Sequence, residues 1–383
     1  MGAVIPCQEI GAQPAEPGSA ALLQAAAQAG VKISDRMLET FRAQGLIPHP
    51  HRAGYHGRAP VWRYPPGTDR QLAALIRWRT HTKDPDLLKV LLWLDGFAIT
   101  PGDVRAALAR QLCVMTEIMN REISRHARRL GLDPSSAAAR DQAVDALAQT
   151  LAAKRGQTPV PRRGRVRAQD RAHAVALMIR MFGLGENVQG TAEDAASVER
   201  VLGLAPNGRR HTVAEAGPWL TGSAEDLFAA AGIVGLPSLL KAVHGASDED
   251  LTATRQTVVA LFRHLPLMTR MLSVMFSEEN YAGLAAFGQL DQHPEAVVFI
   301  VPMVLAMQKA GWRENLDTVT SALQPFPDLA AQANRILDMP AATINANLTE
   351  QPAETRVRAY RIIAAAIEGQ FGGGSDDQPT GTS

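Results

Sequence analysis

The chain has 383 residues, with 39 Lys+Arg against 38 Asp+Glu, 5% aromatic residues and two cysteines. At roughly 100 to 200 residues per domain, that length predicts two or three domains, and Cys7 and Cys113, far apart and outside any CxxC, exclude a disulfide framework and a cysteine-built zinc site. The longest apolar runs, 227–240 and 296–307, are shorter than the ~18 to 20 residues of a membrane span. No Lys or Arg precedes Lys32, so the N-terminus does not read as a secretory signal and the expected location is cytoplasmic, at the nucleoid.

The neutral balance conceals two halves of opposite sign. Residues 1–170 hold 24 Lys+Arg and 15 Asp+Glu, a net of +9, and residues 171–383 hold 15 and 23, a net of −8. Residues 32–83 alone carry ten Lys+Arg against Asp35, Glu39 and Asp69, a net of +7 that attracts polyanions.

In chain order, residues 1–18 lack an apolar period and are expected to be disordered. Ala20–Ala29 predicts a helix closed by Gly30, the residue best suited to a left-handed position after a helix. Ser34 is the predicted N-cap of a second helix, Asp35 supplies negative charge to its first turn, and Gly45 ends it. This is a helix-turn-helix outline. Met37, Leu38 and Phe41 are expected to face inward against Leu23 and Ala27, leaving Arg36 and Arg42 outward. His49 to Tyr64 mixes His, Arg, Tyr and Trp around a short Val61–Tyr64 segment that predicts one arm of a hairpin, a mixture suited to sugar-phosphate and a groove. Trp62 is expected to pack beneath that hairpin. His49, His51 and His56 do not form a metal site in this reading, because the flanking arginines repel a cation.

The ordered series Gly30-Val31-Lys32-Ile33-Ser34, Gln44-Gly45-Leu46-Ile47-Pro48, Arg63-Tyr64-Pro65-Pro66-Gly67-Thr68, Gln71-Leu72-Ala73-Ala74-Leu75-Ile76 and Trp93-Leu94-Asp95-Gly96-Phe97-Ala98-Ile99 resembles the winged helix-turn-helix of MerR-type transcription regulators, in particular the large variants of high-GC bacteria. The resemblance covers about 90 residues. It implies binding of promoter double-stranded DNA as a homodimer, with Lys32, Ser34, Arg36, Arg42, Arg52, Tyr55, Arg58, Arg63 and Tyr64 as the DNA-binding residues. The family's Arg-x-x-Arg-Tyr-Tyr run is kept only at Arg36; Glu39, Thr40 and Phe41 stand at the remaining positions, and Glu39 has the chemistry to accept from a cytosine amino group. Metal-sensing cysteines are missing.

Thr100 and Pro101 predict the start of one long helix reaching about Leu130. Its stripe of Val104, Leu108, Leu112, Met115, Met119 and Ile123 either pairs two copies, with Leu108, Leu112, Met115, Met119 and Ile123 as the dimer interface, or packs against the chain's own helices. Residues 101–155 are read as connecting and dimerisation helices, 156–170 as a basic linker and the main domain boundary, 171–371 as an all-helical effector or oligomerisation domain, and 372–383 as a disordered tail. Met178, Met181, Met268, Met271, Met275, Met303 and Met307 either line a pocket for a small apolar effector or fill the core. Gly183-Leu184-Gly185 reads as a helix terminator. Asp248-Glu249-Asp250 after Ser247 reads as a helix start, and Glu278 and Glu279 as a solvated helix end. HExxH, GxSxG and GxGxxG are absent, so neither a cofactor, a metal nor a catalytic group is expected.

The fold class expected is mainly α: an N-terminal winged helix-turn-helix domain over 19–100, a long connecting helix and an all-helical C-terminal domain. The function expected is a sequence-specific DNA-binding transcriptional regulator, with an effector or protein partner at the C-terminal domain. The alternative is a helical scaffold protein whose basic patch binds nucleic acid without sequence preference.

Overall fold

The computed structural model describes residues 16–28, 30–153, 167–185, 191–202, 232–275, 294–314 and 316–317. Its elements are mostly helical, and the described residues hold a single two-stranded sheet. The chain divides into two compact units, Met1–Ala107 and Leu108–Ser383.

The first unit begins with α1 (Ser19–Gln28) and α2 (Asp35–Ala43). Ser34 has the extended backbone of an N-cap and its hydroxyl accepts from the Met37 N–H, satisfying a donor that the first turn of α2 leaves open. Gly45, at φ +68°, closes α2 by donating to the Arg42 carbonyl. Leu38 and Phe41 are buried as expected, but their neighbours on α1 are one position out of phase. Leu22 and Ala26 are buried, whereas Ala27 is exposed.

The hairpin follows as β1 (His51–His56) and β2 (Ala59–Arg63), antiparallel, with His56 opposite Ala59 across a two-residue turn. Gly57 opens that turn at φ +62°, a conformation the tight hairpin requires and a side chain resists. Between Arg52 and Gly54 the register shifts in a bulge. Then come α3 (Thr68–Trp78) and α4 (Pro85–Leu94), the latter capped by Asp84 with Pro85 at its first position. Trp78 Nε1 and Arg77 both donate to one Asp95 carboxylate oxygen, at 2.7 and 2.8 Å, tying the end of α3 to the end of α4.

Residues 16–18, expected to be disordered, are held by the hairpin. The Tyr64 N–H donates to the Pro17 carbonyl at 2.9 Å, and Glu16 pairs with His51 at 3.3 Å.

The long helix α5 (Pro101–Arg129) begins at Thr100 as its sequence predicts: the Asp103 N–H donates to the Thr100 hydroxyl, which itself donates to the Asp103 carboxylate at 2.6 Å. The unit boundary falls within this helix. In the second unit α6 (Ala137–Ala153), α7 (Ala168–Met178, continued by a π turn over Ile179–Leu184) and α8 (Ala192–Leu202) enclose a core with Ile123 and Ala127 of α5. Val144, Leu147 and Ala148 meet Val175, Ile179 and Met181 there, so the segments on either side of residues 156–170 share one core. Gly185, at φ +67°, ends the π turn, in line with the terminator reading. Next come α9 (Leu236–His244), α10 (Asp248–Met275) and α11 (Val297–Met307, continued by a second π turn over Gln308–Trp312). Ser247 and Asp250 cap the start of α10 reciprocally, as expected. α11 is apolar on nearly every face and buried. Buried Thr254 donates to the Gln308 Oε1 at 2.7 Å, and Gln308 Nε2 donates to Thr257 at 3.3 Å, supplying polar partners inside this core.

Expectations for residues 1–15, for 156–166, for Glu278 and Glu279 and for 372–383 lie outside the described residues, as do the side chains of Met268, Met271 and Met275.

Candidate nucleic-acid interface

α2 presents one solvent face. Arg36, Glu39, Thr40 and Ala43, spaced three and four apart, are turned away from the core, and Lys32 stands in the preceding turn. The Thr40 hydroxyl donates back to the Arg36 carbonyl at 2.9 Å, which fixes it along the helix. Arg42 lies to the side of this face: it pairs with Glu39 at 3.3 Å and is largely withdrawn from solvent. Ser34 has its hydroxyl engaged in capping. Of the basic residues expected to read DNA from this helix, Arg36 is the one that projects from it into solvent.

Gln71 fixes the far end of α2. Its buried side-chain amide donates to the Leu46 carbonyl at 2.8 Å, so α3 grips the turn that follows α2. Neither residue advertises this bond in the sequence.

The hairpin holds three Arg, three His and no acidic residue between His49 and Tyr64. Cross-strand pairing sorts them. Arg52 opposes Trp62 and Tyr55 opposes Pro60, and residues opposite in an antiparallel pair share a face. The bulge at residue 53 shifts the alternation, so Arg52 and Tyr55, three apart, also share it, and the Arg52 guanidinium lies over the Tyr55 ring at 4.8 Å. Tyr55 is 60% exposed and Trp62 51% exposed. The expectation that Trp62 packs under the hairpin is therefore corrected: its strand turns that side chain to solvent. On the other face, His51 meets Glu16, and Arg63 donates to the Glu16 carbonyl at 3.4 Å. Arg58 is exposed at the turn beside Gly57.

Tyr64 requires the opposite correction. It is 1% exposed, just beyond β2, where its N–H is bonded to Pro17, so its ring belongs to the core and not to a DNA contact. The structure thus leaves Lys32, Arg36, Arg52, Tyr55 and Arg58 exposed, Arg63 exposed but engaged with Glu16, and Arg42 and Tyr64 withdrawn.

The stripe on α5 is also redistributed. Leu108, Leu112 and Ile123 are buried inside the chain, and Met119 packs against the core of the second unit, its side chain lying where a Cβ on Gly183 would sit. They cannot form a surface for a second copy. The apolar side chains that α5 does expose are Val114, Met115 and Ile118.

In the second unit Met181 is buried in the core and Met178 packs against it. A shallow, open concavity among the described residues is lined by Asp248, Glu249, Thr252, Ala253, Gln256 and Arg313, with no methionine. Among the described residues no three His, Cys, Asp or Glu side chains converge as metal ligands, and no helix is long and apolar enough to cross a membrane. Comparisons with models of protein families, with curated proteins and with solved structures found no match.

Proposed function

We propose that the chain is a double-stranded DNA-binding transcriptional regulator with a winged helix-turn-helix at its N-terminus. The observation that carries the reading is the juxtaposition, in one unit, of a capped helix exposing Arg36 and a hairpin exposing Arg52, Tyr55 and Arg58 with no carboxylate of its own. α2 enters the major groove with Arg36 and Glu39 at base edges, and the hairpin's arginines hold the flanking phosphates.

A dimer supplies two such units. Val114 and Ile118 are exposed one helical turn apart on α5. An antiparallel second copy centred near Thr116 sets Val114 against Ile118, a self-complementary pairing.

The test is selection of fragmented genomic DNA on the purified protein at about 150 mM salt, with Arg36→Ala and Arg58→Ala alongside. The expected outcome is an enriched inverted repeat that Arg36→Ala abolishes and Arg58→Ala retains at lower affinity. Fragments without a common motif, or a motif unaffected by Arg36→Ala, refute sequence reading by α2.

A further inference from the structure

Beyond its arginines, the hairpin carries an arrangement that phosphate contact does not explain. Two large aromatic side chains, Tyr55 and Trp62, are more than half exposed on one face of β1–β2. Binding a backbone needs cations and donors; it does not need an exposed indole. From this geometry we infer that the Arg52–Tyr55–Trp62 face is a stacking platform for unpaired nucleobases, so that the protein binds melted or single-stranded DNA through the hairpin in addition to duplex through α2. The proposal extends the DNA-binding reading of the same unit, on which it rests.

Several features support nucleobases as the occupant. The register places Tyr55 opposite Pro60 and Trp62 two residues further along the same strand, so the two rings are diagonal neighbours roughly 7 Å apart at their backbones. Stacked bases of one strand rise about 3.4 Å each, so consecutive or next-nearest bases can lie on the two rings. The Arg52 guanidinium over the Tyr55 ring orients that phenol and supplies a charge for the adjoining phosphate. The absence of Asp and Glu from 49–64 leaves the platform in a positive field suited to a polyanion. Trp62 is moreover held in place by its neighbours, because Arg63 and Tyr64 are bonded to Glu16 and Pro17.

The test compares fluorescence anisotropy of the full chain with three labelled DNAs: a duplex of about 30 base pairs, the same duplex with a central bubble of about six bases, and an oligothymidylate of about 20 residues, each long enough to span the hairpin's site. Wild type is expected to bind bubble and single strand about tenfold more tightly than Trp62→Ala does, while duplex affinity changes less than about twofold. Trp62→Phe is expected to recover most of the difference, since a ring is retained. Circular dichroism of each variant verifies folding. Equal binding of bubble by wild type and Trp62→Ala, with duplex binding intact, overturns the platform and leaves the regulator reading standing. Single-strand binding that depends on Trp62 without any duplex binding upholds the platform and overturns the regulator reading. Binding of anionic phosphatidylglycerol vesicles in place of either DNA assigns the face to a lipid surface and overturns the proposal.

Discussion

Substituting Gln71 tests how the candidate reading helix is held. Its amide donates to the Leu46 carbonyl at 2.8 Å, and both residues are buried, at 6% and 1% exposure. Gln71→Leu keeps the side-chain volume and removes the donor, leaving a buried carbonyl unpaired at a cost of about 1–3 kcal/mol, from which the extra apolar burial of leucine subtracts a fraction. In a unit of 107 residues, about 1 kcal/mol moves the melting temperature by roughly 4–8 °C, so a fall of about 5–15 °C is expected. Gln71→Glu is expected to be worse, because it sets a buried carboxylate against a carbonyl, acceptor to acceptor. The location of the damage matters as much as its size. Amide exchange should accelerate first at residues 44–47, where the bond closes the turn after α2, and DNA affinity should fall with it although Gln71 lies in the core. The measurement is thermal unfolding combined with hydrogen exchange of peptides spanning 41–50. A Gln71→Leu protein with wild-type melting temperature and unchanged exchange in that segment would refute the reasoning.

Gly185→Ala is expected to destabilise by about 2–5 kcal/mol, because the new methyl meets Pro237 Cγ at 2.7 Å on a residue at φ +67°; Gly131→Ala, at φ +71° with open space around it, is the control and should cost only about 1 kcal/mol in urea unfolding. The backbone N–H of Ser247 and the Lys309 ammonium at 3.0 Å hold the Asp250 carboxyl below its ordinary value of 3.8. Its contribution is therefore present above that value and lost as pH falls through the lowered one, so the melting-temperature gap between wild type and Asp250→Asn should be open at pH 7 and close below about pH 4; a gap independent of pH would contradict this. Ile118→Glu, at 51% exposure, should leave the fold unchanged and convert a dimer to monomer in sedimentation, whereas the same change at buried Leu112 should unfold the protein.

What can be read from the sequence is local. The Ser34 cap, the Thr100–Pro101 start of α5 and the Ser247–Asp250 start of α10 depend on residues within three positions of each other, and each forms where its sequence predicts. The phase of α1 is not readable, since a run of alanines distributes apolarity around the whole helix, and the structure selects Leu22 and Ala26 over Leu23 and Ala27. Gln71 is hidden for a different reason: a polar residue on an amphipathic helix is usually solvated, and only the arrival of the Leu46 carbonyl, 25 residues away in sequence, makes it a core residue.

The hairpin and α5 show why the candidate site is half legible. Composition alone marks 49–64 as a cationic aromatic segment, but which ring faces outward depends on a bulge and on where residues 16–18 attach, both tertiary facts. Tyr64 and Trp62 consequently exchange the roles their residue types suggest. On α5, the long stripe from Val104 to Ile123 has a clear helical period, and the structure places its aliphatic residues inside the chain. The exposed apolar residues, Val114, Met115 and Ile118, are fewer and are interrupted by Glu117. A strong stripe identifies the face that a helix buries first, and the chain's own core takes it. A surface for a second copy must then be sought in the weaker apolar positions left over, where Val114, Met115 and Ile118 are exposed close together on one helix and not scattered singly.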